Sequence, residues 1–177
     1  LMKAESPGPS VSKLVPKVQD TAKILYTIYI GMTLLQIVLL LLGRIPLFDT
    51  LCISFGTAGT GGFGIVNDSM GSYSVYCQVI TTIFMILFGV NFSAYYLVLT
   101  KKFMQAFKFE EVRYYFGIIL TAIVIITFNT SHLFRNLGEA FQQVAFQVGS
   151  IITTTGFSST DFNQWPALSK TILVLLM

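Results

Sequence analysis

The chain has 177 residues, of which 54% are hydrophobic and only 11% carry a charge, and its mean hydropathy is +0.73. Soluble domains carry about 25% charged residues, so these charges are too few to cover a water-facing surface, and lipid must surround much of the chain. The net charge of +3 is small. Its cations cluster beside apolar runs rather than along a helix face, which excludes a nucleic acid partner.

The first half of the chain predicts one complete membrane repeat over residues 23–100. A polar, lysine-bearing segment precedes it at 1–22. An uncharged run at 24–43 is long enough to span a bilayer, which takes about 20 apolar residues. A re-entrant loop, made of a short helix and a glycine-rich stretch, is predicted at 46–66, and a second uncharged span follows at 75–100.

The second half predicts the same order of elements, cut short. A charged connector at 101–113 leads to the repeat at 114–177. That repeat comprises a span at 114–132, a re-entrant loop at 136–160 and the start of another helix at 165–177. Because this last helix has too few residues to span, we expect the chain to be a piece of a longer protein.

A motif rich in Thr and Gly follows each short helix, at an offset of 94 residues. An internal repeat of this size indicates that the fold is built from repeated units. Repeats in membrane proteins commonly surround a site near the midplane. The aligned residues, which we take as the candidate ion-binding filter residues, are Thr60, Gly61, Gly62 and Phe63 in the first loop and Thr154, Thr155, Gly156 and Phe157 in the second.

The positions of basic residues predict the orientation. They lie before the first span and between the second and third, so both groups fall on one side, which should be the cytoplasm. Residues 1–22 and 101–113 are then cytoplasmic, and the loops enter from outside. The basic residues on the cytoplasmic side are Lys3, Lys13, Lys17, Lys23, Lys101, Lys102, Lys108 and Arg113.

The opposite side is weakly acidic, because four carboxylates outnumber three basic residues there. Such a mouth would favour cations, although solvated surface is the simpler interpretation of Asp68 and Asp161. The four acids are Asp49, Asp68, Glu139 and Asp161.

The loop chemistry suits a dehydrated potassium ion. A half-helix entering the membrane directs its partly negative carbonyl end toward the centre, and a potassium filter replaces hydration water with stacked backbone carbonyls. Such a stack requires unusual backbone angles, so we expect positive φ at Gly62 and Gly156. Thr60 and Thr154 would add hydroxyl oxygens below the carbonyls, and the phenylalanine after each glycine would pack outward and brace its loop.

Several other interpretations remain open. A glycine-rich loop is more often a tight turn or a helix-packing site, so the chain could be a membrane scaffold. A cation carrier with alternating access, coupled to sodium or protons, would also use re-entrant loops. Tyr73, Tyr76, Tyr114, Tyr115 and Trp165 are predicted as interface anchors. No constellation for catalysis or a cofactor is visible, so we predict neither an enzyme nor a cofactor.

Short motifs over nearly the whole chain carry a family resemblance. They are Met2–Pro9, Phe48-Asp49, Thr57–Phe63, Thr153–Phe157 with Asp161, and Trp165-Pro166. In combination the first three motifs resemble the second repeat of the TrkH/KtrB potassium transporter family, and the others resemble its third repeat.

The resemblance implies a bacterial plasma membrane protein with four helix–loop–helix repeats around one potassium pore. Gly62 and Gly156 would be two of four filter glycines, with neighbouring oxygens from Thr60, Thr154 and the residues beside them. It also implies a homodimer bound to a cytoplasmic nucleotide-sensing regulatory subunit. The remaining repeats of the polypeptide would complete the pore, and the choice between potassium and sodium stays open.

Overall fold

The fold is all-α, as the sequence predicts. The computed structural model describes residues 18–99 and 109–177, so most of the two segments predicted to be cytoplasmic, 1–22 and 101–113, lies outside the described residues, as does the motif at Met2–Pro9. The helices are α1 (Val18–Leu42), α2 (Leu47–Ala58), α3 (Val75–Phe88), α4 (Phe92–Leu99), α5 (Glu110–Thr130), α6 (Leu137–Ile152) and α7 (Ala167–Leu176), with 3₁₀ turns at Ser131–Leu133 and Phe162–Gln164.

Two stretches of the described chain are long and apolar enough to cross a bilayer, Ala22–Leu42 in α1 and Glu110–Leu133 in α5 with its following 3₁₀ turn. α2 and α6 are shorter, with 12 and 16 residues. At about 1.5 Å per residue, α2 extends only about 18 Å, well short of the hydrocarbon core of about 30 Å.

In the stretch predicted as a span at 75–100, the structure has two helices, α3 and α4, in place of one. α3 and α4 pass the test for a span only as a pair, and they are bent by 94° at the break between them. Gly89 ends α3, and the Asn91 side chain accepts a hydrogen bond from the Ser93 backbone at 2.9 Å. Glycine is a poor helix former, and asparagine at this position starts a new helix, so both residues favour the break.

Tyrosine hydroxyls donate additional hydrogen bonds to backbone carbonyls at the break. Tyr95 donates to the Leu87 carbonyl at 2.7 Å, and Tyr115 of α5 donates to the Ile86 carbonyl at 3.0 Å. A break at membrane depth requires such partners, because no water is available there. The Tyr115 hydroxyl lies so close to Gly89 that a Cβ on that glycine would overlap it, so the packing also requires glycine.

The two repeats share a core beneath their loops. α1, α2 and α3 pack together in the first repeat and α5, α6 and α7 in the second, while α3 packs on α6 across the boundary. One buried cluster joins the halves: Leu40, Ile45, Ile53, Met70, Cys77, Met85, Phe146 and Phe157. The relative placement of the two loops is therefore fixed by packing.

Two predicted interface anchors are instead built into the protein. Trp165 is only 3% exposed, and its ring lies edge-on to Phe134 with centroids 6.4 Å apart. Tyr115 makes the hydrogen bond described above. Aromatic residues near a membrane edge resemble anchors in sequence, because nothing local indicates a long-range partner.

Reciprocal capping holds the start of α6. The Asn136 side chain accepts from the Glu139 backbone at 2.8 Å, and the Glu139 carboxylate accepts from the Arg135 backbone at 3.3 Å.

We expect Asn136→Ala to lower the free energy of unfolding of the intact, detergent-solubilised protein by about 1 kcal/mol, seen as a lower thermal midpoint. Asn67→Ala, in an exposed turn, is the control, and equal midpoints for both variants would contradict the capping role.

Candidate ion filter

Both half-helices end in the same hydrogen-bonded motif. In each, one amide donates to the carbonyl five residues before it (the 6→1 bond), and the preceding amide donates to the carbonyl three residues before it (the 5→2 bond), which is the Schellman pattern. The pattern turns the chain out of the helix at equivalent residues, 94 apart. The bonds are Gly61 N to Gly56 O (2.8 Å) and Thr60 N to Thr57 O (3.3 Å) in the first loop, and Thr155 N to Ser150 O (2.9 Å) and Thr154 N to Ile151 O (3.0 Å) in the second.

The two loops also share an unusual backbone conformation. Gly62 and Gly156 have φ of +62° and +88°, so both glycines take the positive φ that the sequence predicts. Thr60 and Thr154 are left-handed as well, with φ of +49° and +56°. A non-glycine residue there costs of order 1–3 kcal/mol and tends to mark a functional site. Successive residues in each loop thus alternate in the sign of φ, which an extended strand does not do.

The first candidate filter glycine, Gly62, lies against the second loop. A Cβ on Gly62 would overlap the carbonyl oxygen of Thr155 and lie 2.8 Å from its carbonyl carbon and 2.9 Å from that of Gly156. No described atom lies within 4 Å of the corresponding position on Gly156. The backbones of the two predicted filter segments are therefore in direct contact, at a spacing that only glycine permits.

Side chains brace the second loop from within. Thr153 and Thr155 hydrogen-bond through their hydroxyls at 2.8 Å, and Ser150 donates to the Phe157 carbonyl at 2.6 Å. The equivalent positions in the first loop are all glycines: Gly59, Gly61 and Gly56. The first loop is therefore supported by its neighbour rather than by its own side chains.

Phe157 provides part of that support. Its ring is fully buried and would lie 3.0 Å from a Cβ on Gly56, so the ring rests on the backbone of α2. Phe63, at the equivalent position, is 86% exposed. The sequence predicts that both rings brace their loops. The Phe157 ring packs in this way, whereas Phe63 has no such packing among the described residues.

Three of the predicted mouth acids accept hydrogen bonds from groups close by in the chain or on the neighbouring segment. Asp161 caps a 3₁₀ turn by accepting a hydrogen bond from the Asn163 backbone amide at 3.0 Å. This bond lowers the pKa of the Asp161 carboxyl. Asp49 accepts from the Tyr73 hydroxyl at 2.9 Å. Burial, followed by this bond, raises the pKa of Tyr73, which keeps the phenol protonated. Asp68 accepts from Ser72.

Oxygen is the only ligand chemistry that the site offers. Among the described residues no group of three His, Cys, Asp or Glu side chains could hold a metal ion, and Cys52 and Cys77 are free thiols. Backbone carbonyls and threonine hydroxyls suit a hard cation, and the loops carry both.

Sequence reasoning missed the junction beyond the filter motifs. The Met70 amide donates to the Ser158 carbonyl at 2.8 Å, and the Ser158 amide donates to the Ser69 hydroxyl at 3.2 Å. Hydrogen bonds thus join the segments that follow the two loops. Nothing in a single sequence pairs residues so far apart.

A model of the TrkH family, described as a cation transport protein, matches residues 1–177. The chain belongs to this family. It is 30% identical to the Trk system potassium uptake protein TrkH of Vibrio parahaemolyticus over 98% of its length, and 30% identical to TrkG of Escherichia coli over 100%. The crystal structure of the potassium transporter TrkH from Vibrio parahaemolyticus superposes on 94% of the chain with a TM-score of 0.83 at 28% identity. The chain spans 37% of the length of each of these TrkH and TrkG proteins.

Proposed function

We propose that the intact protein takes up potassium through a pore that these two loops line in part. The candidate filter residues are the eight aligned ones, Thr60, Gly61, Gly62, Phe63, Thr154, Thr155, Gly156 and Phe157, which act chiefly through their backbone carbonyls. One observation carries the proposal. Each half-helix is followed by a loop with positive φ at equivalent residues, and the backbones of the two loops are in contact at Gly62. The relatives' names, which specify potassium uptake, supply the ion.

The chemistry of this pathway needs no covalent step. The carbonyl end of each half-helix carries a partial negative charge that stabilises a dehydrated cation, and the carbonyls replace its water. The membrane potential drives uptake, since each elementary charge gains about 2.3 kcal/mol per 100 mV.

The remaining repeats of the same polypeptide would complete the pore around the axis that these loops face. The intact protein would lie in the bacterial plasma membrane as a multi-pass homodimer, with residues 1–22 and 101–113 in the cytoplasm. A cytoplasmic nucleotide-binding regulatory subunit would bind on that side. The resemblance supports these assignments, and the positions of the basic residues support the orientation.

A carrier with alternating access is the second candidate, because its loops would have the same appearance. Coupling to protons usually places an ionisable residue inside a span. The sequence has no Asp, Glu, Lys, Arg or His at 24–43, 75–99 or 114–130, which favours the pore.

The test uses the intact parent protein in a bacterial strain that lacks potassium uptake. In Gly62→Ser and Gly156→Ser the left-handed backbone is strained, so we expect both to lose growth rescue or to relax the preference for potassium over sodium. Rubidium uptake at matched membrane expression measures the first effect, and competition by sodium measures the second.

Gly117→Ser is the control, because that glycine lies on α5 with no described atom near its Cβ position. It should transport as wild type does. If both loop variants kept wild-type uptake and selectivity, the pore proposal would be wrong, and the loops would be packing elements of a scaffold. Saturating uptake with a steep temperature dependence, in place of ohmic single-channel currents, would favour the carrier.

A further inference from the structure

Gln78, in the first turn of α3, is buried in the junction between the two repeats. It is 4% exposed, and a glutamine amide buried there must find its partners in protein, because leaving them unmade is costly. Its position outside both loop motifs gives it no role in the pore proposed above.

All four hydrogen-bonding positions of the Gln78 amide are filled. Its nitrogen donates to the backbone carbonyls of Met70 (2.9 Å) and Tyr73 (3.2 Å), and its oxygen accepts from the side-chain nitrogens of Gln142 (2.6 Å) and Gln143 (3.3 Å). A glutamine offers two donors and two acceptor sites. Because carbonyls can only accept, the orientation of the amide is fixed.

These bonds connect parts of both repeats. Met70 and Tyr73 belong to the segment that follows the first filter loop, whereas Gln142 and Gln143 lie on α6, the half-helix that leads into the second. Gln143 extends the chain of bonds, because its oxygen accepts from the Ser159 hydroxyl at 2.5 Å, just beyond the second loop.

The Met70 backbone is held on both sides. Its carbonyl accepts from Gln78, and its amide donates to the Ser158 carbonyl at 2.8 Å. Gly62, eight residues before Met70, lies against the carbonyl of Thr155, three residues before Ser158. We therefore expect a slip at this junction to change the spacing of the two candidate filter backbones.

We propose that Gln78 is a positioning residue for ion selectivity: it holds the segments after the two filter loops at one fixed separation. The inference rests on the proposed potassium pore and adds a residue that touches no ion. Carbonyl spacing determines how well the loops replace the hydration shell, so loosening the junction should change which ion is preferred.

The intact parent protein carrying Gln78→Leu tests the inference against Gln36→Leu. Gln36 is also a buried glutamine, but its nitrogen donates to the Thr57 hydroxyl at 3.0 Å, within the first repeat. At matched membrane expression we expect Gln78→Leu to lower the potassium-over-sodium uptake ratio by roughly threefold to tenfold, the range expected for interhelical hydrogen bonds in membranes. Gln36→Leu should lower the thermal midpoint and leave that ratio unchanged.

A second variant keeps the test decisive if Gln78→Leu does not reach the membrane. Gln142→Leu removes one of the two donors to the Gln78 oxygen and leaves Gln143 in place, so it should shift the ratio in the same direction by less. In the double variant with Gln78→Leu, the Gln142 change should add almost nothing, because the bond that it removes is already gone.

The outcomes separate the two proposals. If the wild type transports and the filter-glycine variants lose selectivity, but Gln78→Leu and Gln142→Leu keep the wild-type ratio, Gln78 is merely structural and the positioning role is wrong. An equal shift in Gln36→Leu also overturns it, because the effect would then belong to any buried glutamine. A wild type that takes up no rubidium overturns the pore and the positioning role together.

Discussion

Gly62→Ala is expected to remove nearly all rubidium uptake by the intact protein, whereas Gly156→Ala should lower it far less. At Gly62 the new methyl group would overlap the Thr155 carbonyl oxygen, and the backbone is left-handed. Neither loop can yield without moving the other. We expect uptake to fall by about a hundredfold, the loss that a misplacement of about 1 Å causes at a preorganised site.

At Gly156 the methyl group meets no described atom, so the cost is the left-handed backbone alone, roughly 1–2 kcal/mol. Initial rates of rubidium uptake at matched membrane amounts compare the two variants. Gly117→Ala is the control, since α5 is helical there and its Cβ position is open. Wild-type uptake by Gly62→Ala would contradict the contact between the filter backbones. Equal loss in both variants would indicate that another part of the intact protein lies against Gly156.

The fold class, the family and the positive φ of both candidate filter glycines were accessible from the sequence, because each depends on a local signal. Uncharged apolar runs predict spans, and the matching Thr/Gly motifs indicate a repeat. The left-handed threonines were not accessible. Helices usually reach this conformation with glycine, and Gly59 and Gly61 are the obvious candidates on either side of Thr60. The observed choice of threonine keeps a hydroxyl at each loop entrance.

The long-range features were inaccessible for a different reason. The break after α3 lies in an uncharged stretch, so hydropathy does not register it, and its stability depends on tyrosine hydroxyls at Tyr95 and Tyr115. Gln78 appears in the sequence as one polar residue in an apolar run. Its importance comes from partners 64 and 65 residues away, which only the packing of α3 on α6 brings together.

Phe157→Ala is expected to destabilise the intact protein by about 3–5 kcal/mol, the usual cost of removing a fully buried phenylalanine ring. The ring belongs to the buried cluster that joins the repeats and rests on Gly56 of α2. Its loss should lower the thermal midpoint in detergent and reduce uptake together, because the first loop depends on this support. Phe128→Ala, which removes an exposed ring on α5, should change neither.

Gly56→Ala distinguishes a specific contact from a general loss of core volume. When Phe157 is present, the methyl group that Gly56→Ala adds would press against its ring at 3.0 Å. Overpacking of this kind costs about 1–3 kcal/mol. In the Phe157→Ala background the same methyl group has room and fills part of the cavity, so it should be neutral or stabilising. Non-additivity of this sign in thermal unfolding would assign the coupling to the pair. Additive effects would mean that the ring and Gly56 do not meet, and that the first loop is held in place by other contacts of the shared core.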